Sequence, residues 1–121
     1  MEAPALKLVA NSMLAIVSAA SAELMNAGRR HGLDPAQIFS VLARVAPVLK
    51  VREAGFVENV HEPAMFAVRD LLKDLDLSLD LYQPPVPITF LARQLFGAVA
   101  ACTPDLDISA VVDEYAKENP R

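Results

Sequence analysis

The sequence predicts an all-α fold: a single multi-helix domain, residues 1–121, built round a long central first helix. Three observations carry this. Nothing between Pro4 and Ala27 breaks a helix. Beyond that stretch, apolar residues recur at helical spacing between breaks marked by Pro and Gly. No run alternates apolar and polar residues between turn signals, as a half-buried strand would.

Each element has local grounds. Pro4 suits a first helical turn. The helix it opens ends within Gly28-Arg29-Arg30-His31-Gly32, with basic residues at the negative end of the dipole. Asp34-Pro35 supplies a cap and a first-turn proline for a second helix. Ile38, Val41, Leu42 and Val45 form its apolar face, and it stops before Pro47. A short helix is expected around Leu49 to Gly55. A longer one is expected from about Pro63 to Leu81, ended by Pro84-Pro85-Val86-Pro87. Another fits Thr89 to Ala101. The last fits Ser109 to Lys117, capped by Asp107 or Ser109.

Composition bounds the partners. The chain is 54% hydrophobic but only 6% aromatic, so the excess is aliphatic. A small helical domain with this surplus is expected to bury some of it against a second copy, as a homo-oligomer. Net charge is −4 and the eleven Lys and Arg are scattered, which argues against nucleic acid. The single Cys102 excludes an internal disulfide and suits a reducing, cytoplasmic setting. No Cys or His spacing suggests a metal site. The longest uncharged run, between Lys7 and Glu23, has fifteen residues, short of the roughly eighteen a bilayer span needs. No membrane partner is therefore expected, and the start "MEAPALK" does not read as a signal peptide.

Lys7 and Asn11 lie four apart on one helix face, with Ser18 and Ser21 near the same line. This is either a solvent-facing stripe or a Lys/Asn pair lining a cleft. Read as a pattern, Lys73-Asp74 in the Phe66–Leu75 stretch is a solvated helix face. His31 and His61 sit near predicted helix ends, where capping or solvent exposure is expected. Neither has a Ser, Cys or carboxylate at a spacing that suggests a nucleophile and base. Glu23 is expected to be paired structurally. No glycine-rich phosphate loop occurs.

Five marks in this order resemble a known family. They are Lys7-x-x-x-Asn11, then Ala22-Glu23, and then Gly32-Leu33-Asp34. Next comes Phe66 seven residues ahead of Lys73-Asp74-Leu75, and last Asp105-Leu106-Asp107-Ile108-Ser109-Ala110-Val111. Together they resemble the C-terminal helical domain of the β-hydroxyacid dehydrogenase (3-hydroxyisobutyrate dehydrogenase-like) family, with a fold like that of 6-phosphogluconate dehydrogenase-type enzymes. The resemblance spans almost the whole chain. It implies an NAD- or NADP-dependent oxidoreductase that works in a cleft between this domain and a Rossmann domain, and a family that dimerises through the helical domain. It also implies Lys7 as the catalytic lysine, Asn11 as the substrate-orienting residue, and Lys73, Phe66 and Asp74 on the cofactor side of the cleft.

The Rossmann glycine fingerprint is absent from these 121 residues, and Glu2-Ala3-Pro4-Ala5 stands where the family has glycines. The chain alone is therefore expected to hold no cofactor and to be inactive. A separate Rossmann-domain chain is one possible partner. The alternative is a non-catalytic dimerisation module derived from the family. The residues that set the substrate and the choice of NAD or NADP belong to the Rossmann domain.

Overall fold

The computed structural model describes residues 2–116. Among the described residues six helices run in order: α1 Glu2–Arg30, α2 Pro35–Val45, α3 Glu53–Glu58, α4 Val68–Leu81, α5 Pro87–Cys102 and α6 Val111–Ala116. Two 3-10 turns, Pro47–Arg52 and Ile108–Ala110, lead into α3 and α6. Among the described residues there is no strand, only one antiparallel bridge between Ala67 and Asp107.

α1 is the axis of the fold, packed by α2, α4, α5 and α6. Its 29 residues span roughly 43 Å. Leu8, Ser12, Ala15, Ala19, Ala22 and Asn26 are buried at alternating spacings of four and three. That is one helix face, and its small side chains let neighbouring backbones come close. The helix runs through Gly28 and stops at Gly32, whose φ of 97° only glycine adopts freely. Leu33 N donates to Gly28 O and Gly32 N to Arg29 O, which satisfies the last carbonyls. Asn26 Nδ2 donates to Val112 O at 3.0 Å and ties α1 to α6.

α1 is also long and apolar enough, by length and composition, to cross a bilayer. The count of an uninterrupted uncharged run missed this, because the helix stays apolar on average with Lys7 and Glu23 included. A core helix passes the same test, and α1 buries one face along its length against the other helices.

The other elements follow the expected order with shifted bounds. α2 begins where expected, with Asp34 accepting from Gln37 N. The short helix expected around Leu49 to Gly55 is two pieces, a 3-10 turn and α3. α5 opens on Pro87, two residues earlier than expected. Asp107 caps the second 3-10 turn by accepting from Ser109 N. The predicted end of the last helix at Lys117 lies outside the described residues. α4 begins at Val68, five residues later than expected. The backbone of residues 65–68 is instead bonded across to the segment before α6.

His61 is not solvent-exposed. It is 7% exposed and shares a 2.7 Å hydrogen bond through Nδ1 with Ser109 Oγ, while Nε2 lies 3.3 Å from Asp113 Oδ2. In the orientation that satisfies both neighbours, the Asn59 amide donates to Asp113 and to His61 Nε2. Serine, histidine and aspartate thus meet despite their separation in sequence. Ser109 is 1% exposed, so this is a buried structural network with no access for a substrate.

Close packing at this point gives a test. A methyl added to Gly55 in α3 would lie 2.3 Å from Ser109 Oγ and 2.5 Å from its Cβ. Helix propensity alone favours alanine by about 1 kcal/mol. We expect overpacking to outweigh it, so that Gly55→Ala costs about 1–3 kcal/mol in urea unfolding. Ser109→Gly in the same chain should recover part of that loss. A neutral or stabilising Gly55→Ala would show that the two segments do not meet this closely.

Candidate active cleft

α1 and α4 run antiparallel, side by side, and polar bonds stitch the seam. Tyr82 Oη donates to Ala5 O near one end. Asn11 Nδ2 donates to Asp74 Oδ2 at 2.7 Å, and the Ser12 and Ser78 hydroxyls share a hydrogen bond at 2.8 Å. Beside this seam lies a cleft of about 450 Å³ lined by Lys7, Asn11, Phe66, Asp70, Lys73 and Asp74. Every site residue expected from the sequence borders it, although some sixty residues separate Lys7 and Asn11 from the rest.

Two walls meet there. Lys7 and Asn11 belong to α1, one turn apart; Lys7 is exposed and Asn11 half-buried. The polar stripe expected on α1 does not continue to solvent, since Ser18 and Ser21 are buried. On α4, Asp70, Lys73 and Asp74 occupy one face at helical spacings of three and four. Phe66 stands just ahead of α4, half-buried and packed against the edge of the core.

The reading of Lys73-Asp74 as a solvated face needs dividing. Lys73 is exposed, but Asp74 is 8% exposed, and its carboxylate holds the Asn11 amide. Sequence reasoning passed over Asp70. The available signal was its place four residues after Phe66 and three before Lys73, on the same helical face. The cleft therefore carries two lysines and two aspartates, one of the aspartates already engaged by Asn11. Glu23 lies elsewhere, exposed on α1 near the half-buried Tyr115. Burial, then the nearby Glu23 and Glu114, push the Tyr115 phenol above its ordinary range.

The segment that follows α5 supports the second wall. Asp107 is 3% exposed and accepts from Arg52 Nε at 2.8 Å. Burial works against its ionised form, but hydrogen bonds from Arg52 and from the Ser109 and Phe66 backbones outweigh burial. The carboxyl is held below its usual range.

A family model described as "NAD-binding of NADP-dependent 3-hydroxyisobutyrate dehydrogenase" matches residues 2–115. The chain belongs to this 3-hydroxyisobutyrate dehydrogenase family. Among solved structures it is similar to the 3-hydroxyisobutyrate dehydrogenase of Mycobacterium tuberculosis solved with L-serine, at 25% identity and a TM-score of 0.78. The match covers 91% of this chain and 42% of that one, so the chain spans less than half the length of this relative. No curated protein matches.

Proposed function

We propose that this chain supplies the helical wall of the active site of an NAD(P)-dependent 3-hydroxyacid dehydrogenase. The observation that carries the proposal is the meeting of Lys7, Asn11, Phe66, Lys73 and Asp74 in one cleft. Merely solvated lysines on α1 and α4 could have pointed in any relative direction.

The residues fit one end of a dinucleotide. Two ammonium groups beside a half-exposed phenyl ring suit an anionic substrate and a flat nicotinamide. A pyrophosphate needs a glycine-rich turn, and these 121 residues have none. A bound nicotinamide would supply the hydride donor or acceptor. Lys7 passes the proton of the substrate hydroxyl, acting as a general acid or base at that oxygen. Asn11 orients the substrate, with its amide fixed by Asp74. Lys73, Phe66 and Asp74 form the cofactor side.

The chain alone should show no measurable NAD(P)-dependent oxidation of 3-hydroxyacids, with nucleotide binding no tighter than millimolar. Joined to a dinucleotide-binding domain of this family, it should oxidise them. A micromolar dissociation constant for the chain alone by calorimetry, or a joined protein inactive on every 3-hydroxyacid, would overturn the reading.

Self-association is the second part of the proposal. Leu6, Val9 and Met13 on α1 and Ile88 and Leu91 on α5 are all at least half exposed. A groove between these two helices is lined by Ile16, Ala19, Ala20, Leu91 and Leu95, with Glu23 at its edge. A second copy of the chain is the occupant we propose, burying above about 1,000 Å² in a mostly aliphatic interface. Sedimentation at tens of micromolar should give a dimer or larger. Met13→Asp or Leu91→Asp should shift it towards monomer with little loss of fold, because both side chains are on the surface. A monomeric unmodified chain at that concentration would count against it.

A further inference from the structure

We propose that Asp107 is a positioning residue for the second wall of the cleft: its carboxylate fixes the segment from which Phe66 and the first turn of α4 are hung. What the cleft does rests on the function proposed above; the geometry stands apart from it.

A helix start leaves four backbone N–H groups without intrahelical partners. α4 has no side-chain cap; Ala67 occupies that place. Its first donors bond instead to a distant stretch, Val68 N to Leu106 O at 2.8 Å and Arg69 N to Pro104 O at 2.9 Å. Just ahead of α4, Met65 N and Phe66 N both donate to Asp107 Oδ1, at 3.0 and 3.1 Å. Ile108 N donates to Phe66 O, and Asp107 N to His61 O, each at 3.0 Å. No helix or sheet supports residues 59–67, so these bonds set where Phe66 stands.

The carboxylate is itself held from the other side. Arg52 reaches it through Nε at 2.8 Å and Nη2 at 3.3 Å, and Ser109 N donates at 3.0 Å. Five donors thus converge on one buried side chain. It joins the Pro47–Arg52 turn, the stretch before α6 and the stretch before α4. Phe66 is held at that junction, and Asp70, Lys73 and Asp74 follow it along α4, whose later turns are bonded directly to α1. Asp107 does not itself line the cleft and acts through the Phe66 backbone and the start of α4.

The test must separate placement from plain stability. The chain is labelled with fluorophenylalanine, and the Phe66 line is assigned through Phe66→Leu. Asp107→Asn should move the Phe66 line towards the solvent-exposed position and leave the lines of buried Phe56 and Phe96 in place. It should also weaken binding of 3-hydroxypropionate, read at the Asn11 and Lys73 amides, by about tenfold. Val99→Ala, a core truncation in α5, should lower the Tm without moving the Phe66 line or the affinity. If Asp107→Asn does not fold, Asp107→Glu retains the charge, displaces the oxygens by one methylene and should move the same line. A Phe66 line unmoved in a folded Asp107 variant, or moved equally by Val99→Ala, would overturn the proposal. So would unchanged affinity for a probe that the unmodified chain binds. An unmodified chain in which 3-hydroxypropionate disturbs neither Asn11 nor Lys73 counts against the proposed function instead, and the Phe66 line then decides on Asp107 alone.

Discussion

Lys7→Ala, in the chain joined to a dinucleotide-binding domain, is expected to lower kcat for a 3-hydroxyacid by about 10²–10⁴ while leaving the Tm nearly unchanged. The rate effect is the usual worth of a placed general acid or base. The small stability effect follows from exposure: Lys7 is on the surface of α1 and closes no buried network. Lys7→Arg should not restore the rate, because a guanidinium cannot give up its proton at working pH. Asn11→Ala should behave differently. It removes the donor to the buried Asp74 carboxylate, so it should lower stability as well as substrate affinity. Steady-state kinetics on folded variants decides the matter. A Lys7→Ala protein within tenfold of the unmodified kcat would remove Lys7 from the chemistry.

The sequence makes α1 plain, because its signals are local: a proline in the first turn, no breaker within, glycine in a left-handed turn at the end. α4 is plain only from Val68 on. Its start is hidden because Pro63 has the look of a helix opener, while backbone groups of residues 65–69 are claimed by Asp107, Leu106 and Pro104. Those partners lie some forty residues away, beyond the reach of propensity or capping rules. The burial of His61 is hidden for the same reason, since its partner Ser109 lies 48 residues on.

The cleft was legible in a different way. Periodicity places Lys7 with Asn11 on one face of α1, whereas Phe66 with Lys73-Asp74 is a mark of the family resemblance. Periodicity could not say that the two sets meet. The resemblance supplied that expectation, and the antiparallel packing of α1 on α4 carries it out. Asp70 was missed because an aspartate among the charges of α4 looks like any solvated residue until the opposite wall is in place. In the sequence the Asp105–Val111 stretch is a mark of the family without a visible task. Its second aspartate, Asp107, is the junction under the second wall.

That junction also carries a large expected loss of stability. Arg52 is 8% exposed and Asp107 3%, so each is buried with its charge. Arg52→Ala leaves the carboxylate without its counter-charge, and breaking such a pair costs about 3–5 kcal/mol. We expect the lower end, because Met65, Phe66 and Ser109 still donate backbone N–H groups to Asp107. Replacing both partners should be milder than the sum of the single changes. Asparagine at 107 has no charge to strand, so Arg52→Ala with Asp107→Asn should fall short of additivity by about 1–3 kcal/mol. Acid gives the matching pH signature. The folded carboxyl titrates below its usual range, so its stabilising effect is complete above the unfolded value of about 3.9 and is lost as pH falls through the lower folded value. The unmodified chain should therefore lose more stability below about pH 4 than Arg52→Ala does, with the two unfolding curves converging in acid. Additive single changes, or a gap between the curves that is the same at pH 3 as at pH 7, would mean that Arg52 does not hold Asp107 in its charged form.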